Sequence, residues 1–102
     1  MLQASSTYAA PRECVVLLHG LARTAYSMTK LEQSLQHEGF LVANINYPSR
    51  EYPIEALAVD AVNQGLEACR KGQAWRIHFV THSMGGILVR YYLSHHAIPE
   101  LG

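Results

Sequence analysis

Three times along the chain, a short apolar run rich in β-branched residues gives way to a longer stretch whose apolar residues recur at helical spacing. The first run is Cys14-Val15-Val16-Leu17-Leu18, stopped by His19-Gly20. A helix is expected after it, with Met28, Leu31 and Leu35 on one stripe and Gly39 at its C-terminal end. Phe40-Leu41-Val42-Ala43-Asn44-Ile45 reads as the second strand and Asn46-Tyr47-Pro48-Ser49-Arg50 as its exit loop. Pro53 suits the first turn of the next helix, where Ile54, Leu57, Ala58, Ala61, Val62 and Leu66 repeat until Lys71-Gly72. Arg76-Ile77-His78-Phe79-Val80 is the third strand. Met84 to about His96 is the third helix, with Pro99 beyond it.

The order is therefore β-α-β-α-β-α. Strands apolar on both sides, alternating with helices, predict an α/β fold: a three-stranded parallel sheet with helices on both faces. Right-handed crossovers put the first two helices on opposite faces if the first strand lies between the other two. The carboxyl ends of the first and third strands then flank a topological switch point, the place where such sheets hold their sites. Residues 1–13 read as a loose lead-in and residues 14–102 as one domain.

Hydrophobic residues make up 49% of the chain and charged residues 16%, which favours folding over disorder. The formal charge of zero gives no footprint for nucleic acid or an anionic membrane. No apolar run approaches a membrane span, and the polar start lacks a basic n-region. The cytoplasm is the expected location, although a secreted chain with its signal removed would look the same. Cys14 and Cys69 form neither a disulfide framework nor a redox or zinc pair, and two buried free thiols are expected.

Ser83 carries the strongest chemical signal. It follows a strand directly and opens a helix in the run Thr81-His82-Ser83-Met84-Gly85-Gly86. A serine hydroxyl attacks well only when it is exposed, held still and deprotonated by a base. A tight strand-to-helix turn exposes it at a helix N-terminus, whose free N–H groups favour developing negative charge. Such a turn needs small neighbours, which Gly85 and Gly86 supply. Thr81 stands where a G-x-S-x-G pattern has its first glycine.

With the strand ending in His19-Gly20-Leu21, this elbow resembles the α/β-hydrolase superfamily, in particular small bacterial lipases and esterases whose elbow reads small-His-Ser-Met-Gly-Gly. The resemblance runs from residue 14 to nearly the end and matches only the first half of that fold. It implies Ser83 as nucleophile in the cleavage of a small-molecule or lipid carboxylic ester through an acyl-serine intermediate, with no cofactor. It also implies an oxyanion hole built from the backbone N–H groups of Leu21 and Met84. His19, Gly20, His82, Gly85 and Gly86 would support these. Thioesterases, acyltransferases and amidases use the same elbow.

The family's triad continues with an acid and then a histidine downstream of the serine helix. Here only residues 84–102 follow Ser83, and the sole Asp, Asp60, lies upstream in a helix. His95 would sit about 18 Å along the helix, out of reach. The chain thus reads as a fragment, a truncated product or one part of a split protein, lacking the triad acid and histidine. A catalytically inactive binding or assembly module is the alternative. The third strand would be left as a sheet edge, so self-association or a second chain completing the sheet is expected.

Blander roles compete at each position. Ser83 could be a plain N-cap. His19 could be a surrogate base, but its place in the motif suits a buried support for the oxyanion loop. His82 should point away from the nucleophile. His37, His78, His95 and His96 have no acidic partner in the pattern and give no metal site. Tyr47 to Arg50 could line an acyl pocket or form a simple turn. Tyr91 and Tyr92 read as packing residues and Asp60 as solvated.

Overall fold

The computed structural model describes residues 12–21 and 23–102. Strand β1 (Arg12–Leu18) leads through a 3-10 turn (Ala25–Met28) into α1 (Thr29–His37), followed by β2 (Leu41–Ile45), α2 (Ile54–Lys71), β3 (Ala74–Thr81) and α3 (Met84–His95). The sheet order is β2-β1-β3, and both pairings are parallel. β1 is therefore central, as the two-sided apolar run requires, and Val15, Val16, Leu17 and Leu18 are all buried. With right-handed crossovers, α1 and α2 cover opposite faces.

Cys14, Val16 and Leu18 point toward α2, where they join Leu57, Ala61, Val62, Leu66 and Cys69 in the main core. Ile77 of β3 and Leu88 and Tyr92 of α3 complete it. Among the described residues, no helix is long and apolar enough to cross a membrane.

Two expectations need correction. Cys14 and Cys69 are not free thiols: they form a disulfide that joins β1 to α2 across a sequence separation of 55. Both residues are buried where α2 crosses the sheet, so the fold itself brings them together. Arg12 and Glu13 belong to β1 rather than to a lead-in, and the rest of that segment, residues 1–11, lies outside the described residues. Glu13 is half-exposed and meets His78 of the neighbouring strand at 2.6 Å, so a charged residue can occupy the strand. The stripe on α1 is only half-covered: the helix buries no residue fully, and Leu31 is exposed.

The outer edge of β3 is also not bare. The Ile77 N–H donates to Glu100 O, and the Gly102 N–H donates to Ile77 O, both at 2.9 Å, so Leu101 pairs in parallel with Ile77. Two hydrogen bonds from Arg70 to the Glu100 carboxylate, at 2.7 and 2.8 Å, tie this segment back to α2.

Candidate active site

The carboxyl ends of β1 and β3 are neighbours in the sheet. Leu18 is in register with Thr81, and the His82 N–H donates to Leu18 O at 3.1 Å. Adjacent strands run about 4.8 Å apart, so the His19-Gly20-Leu21 loop and the Ser83 turn leave the sheet side by side.

Ser83 has φ 54° and ψ −111°, a conformation that a Cβ disfavours and that persists only where its surroundings enforce it. The enforcing contacts are local. The Gly85 N–H donates to His82 O and the Gly86 N–H to Ser83 O, both at 3.1 Å, closing successive turns around the serine. Behind the turn, a Cβ on Gly85 would lie 2.7 Å from Leu18 O and 2.9 Å from Leu18 Cβ. Only glycine lets the start of α3 settle this close to β1. The Ser83 side chain makes no capping hydrogen bond, so the plain N-cap role does not describe it. The residue is exposed at the top of the sheet.

Leu21 is 55% exposed, in a turn closed by the Arg23 N–H donating to Gly20 O at 3.1 Å. Among the described residues, nothing accepts a hydrogen bond from the main-chain N–H of Leu21 or of Met84. His82 is exposed, and its ring lies beside Gly20: a Cβ there would come within 2.7 Å of His82 Nδ1. Gly20 and His82 line one cleft of about 320 Å³ together with Arg23, Ser27 and Met28.

His19 is fully buried. Its Nδ1 lies 2.9 Å from Gly20 O, which can only accept, and its Nε2 lies 3.3 Å from the Tyr47 N–H, which can only donate. The hydrogen therefore sits on Nδ1 and the Nε2 lone pair is already used, so His19 has no free site for taking a proton. Its ring stacks on Tyr47 with centroids 4.0 Å apart, and the Tyr47 hydroxyl donates back to His19 O. Burial raises the Tyr47 hydroxyl above its ordinary pKa of 10.0.

No known family model matches the chain, and no curated protein is similar enough to it to count as a relative.

The remaining histidines are not gathered at Ser83. At the far end of α3, His95 stacks on Tyr91 with centroids 4.4 Å apart, and His96 lies tilted against Tyr92 at 4.7 Å. Tyr92 also packs in the core, and its hydroxyl donates to Asn63 at 2.9 Å. Asp60 is exposed on α2.

Tyr47 to Arg50 form a turn that also borders a cleft. The Glu51 N–H closes a turn onto Pro48 O at 3.1 Å, and the segment walls a second cleft of about 450 Å³ that Arg23 shares. Arg23 was missed altogether. The one available signal was its position just after the His19-Gly20-Leu21 loop.

Proposed function

We propose that the chain carries the nucleophile and oxyanion hole of an α/β-hydrolase that cleaves carboxylic esters. Ser83 attacks the carbonyl carbon, and the oxygen that becomes negative is received by the Leu21 and Met84 amides. The observation that carries this reading is the backbone of Ser83. A serine held at positive φ, exposed and uncapped between a parallel strand and a helix, serves no packing or capping purpose that an ordinary conformation would not serve better.

His19 supports the oxyanion loop rather than acting as base, because both its ring nitrogens are engaged. No histidine or carboxylate among the described residues is assigned as the base or acid of a triad. The catalytically inactive alternative draws on one observation: among the described residues, nothing hydrogen-bonds the Ser83 hydroxyl. The buried disulfide favours an oxidising compartment over the cytoplasm as the place of action.

The test is hydrolysis of p-nitrophenyl acetate by the purified chain and by Ser83→Ala. Without a base, turnover should be slow, and the background of about 10³–10⁴ over water that an oxyanion hole and binding alone retain would survive in Ser83→Ala, so the readout is the acetyl group left on Ser83, seen by mass spectrometry. A chain that is not acetylated at Ser83 in preference to its other serines would remove the reading.

A further inference from the structure

At the carboxyl ends of β1 and β2, two loops each place one arginine on the lining of the same cleft. The first is the turn from Gly20 to Arg23, and the second is the turn from Pro48 to Glu51. They are tied together rather than free. The Ala25 N–H donates to Asn46 Oδ1 at 3.0 Å, Asn44 Nδ2 donates to Ala25 O at 2.8 Å, and the stacked His19–Tyr47 pair lies beneath. Arg23 and Arg50 both line the cleft of about 450 Å³, and Arg23 also lines the cleft of about 320 Å³ next to Gly20 and His82. The two spaces thus meet at Arg23, and the smaller is lined by His82, the residue before Ser83.

Both arginines are exposed, and neither belongs to an ion pair among the described residues. Glu51 is the one acidic residue on the lining, which leaves the cleft with a single net positive charge. That balance suits a monoanion better than a phosphate dianion. A planar carboxylate can accept paired N–H groups from a guanidinium, and preorganised loops reduce the cost of holding the guanidinium in place.

We propose that Arg23 and Arg50 form a carboxylate subsite, so that the preferred ligand is an ester bearing a free carboxylate at the end remote from the bond cleaved. This rests on the reading of Ser83 for the position of the ester, but the subsite itself is measured by binding.

The experiment is an amide chemical-shift titration of the full chain at low salt with monomethyl succinate and, separately, with uncharged dimethyl succinate. The monoester should bind about tenfold more tightly, the factor expected for one charged hydrogen bond. Its shifts should centre on Arg23 and Arg50, and the preference should vanish in Arg23→Gln and in Arg50→Gln. Equal binding of the two esters, no binding of either, shifts centred elsewhere, or a preference that survives both substitutions would overturn the subsite. Selective binding without acetylation of Ser83 by the activated ester would keep the subsite and remove the hydrolase reading. Acetylation of Ser83 without selective binding would do the reverse.

Discussion

Reduction of the Cys14–Cys69 bond should cost this small domain a large part of its stability. The bond closes a loop with a sequence separation of 55, running from the central strand through α1 and β2 to the end of α2. In the chain-entropy treatment, a loop of that size restricts the unfolded chain by about 4 kcal/mol at 25 °C. Domains of this kind are stable by only about 5–15 kcal/mol in total. Reduction is a cleaner perturbation than mutation, because both sulfurs stay buried against the same neighbours and little packing is lost. The assay is urea unfolding followed by circular dichroism, with and without a phosphine reductant, alongside thiol titration. With a urea dependence of about 1.5 kcal/mol per molar, the midpoint should fall by about 3 M or the chain should unfold outright. No thiol should react before unfolding under oxidising conditions. Coincident midpoints, or two reactive thiols in the untreated protein, would refute the reasoning.

Two further perturbations probe the loop and the C-terminal segment. Tyr47→Phe removes the donor to the buried His19 carbonyl and should cost about 1–3 kcal/mol by urea unfolding. Because burial raises the folded pKa of Tyr47, its hydroxyl contributes stability that is complete below its ordinary value of 10.0 and is lost as pH rises through the folded value, a dependence that Tyr47→Phe should remove. Glu100 is shifted the other way: the hydrogen bonds from Arg70 hold its carboxyl below its ordinary value of 4.5. Its contribution is present above 4.5 and is lost as pH falls through the lower folded value. An exposed pair of this kind contributes about 0.2–1 kcal/mol, so Glu100→Gln should be slightly less stable than the parent at pH 7, a difference that should shrink as the pH falls below 4.5.

The alternation of strands and helices was legible because it depends on local properties. Val15-Val16-Leu17-Leu18 can sit only in a strand covered on both faces, and Ser83 between Thr81 and Gly85-Gly86 can sit only in a sharp turn. What escaped depends on how elements cross. Cys14 and Cys69 meet because α2 passes back over β1, and no spacing along the chain encodes that crossing. Arg12 and Glu13 look like a polar lead-in until His78 is placed beside Glu13 by the β1–β3 register. Tyr47 looks like a loop aromatic, yet its backbone N–H takes up the second nitrogen of the His19 ring, on which its own ring stacks. Arg23 and Arg50 lie far apart in sequence and share a cleft only because β1 and β2 end together.

The central claim is that the turn between β3 and α3 presents Ser83 as a nucleophile. Incubation of the folded chain with a fluorophosphonate, followed by peptide mass spectrometry, tests it most directly. Attack by the Ser83 hydroxyl displaces fluoride and leaves a phosphonyl group on its oxygen. The account predicts that this adduct forms on Ser83 in preference to every other serine, and that unfolding the chain in urea before treatment abolishes the preference. A folded chain that stays unlabelled at Ser83, or is labelled equally at its other serines, would contradict it.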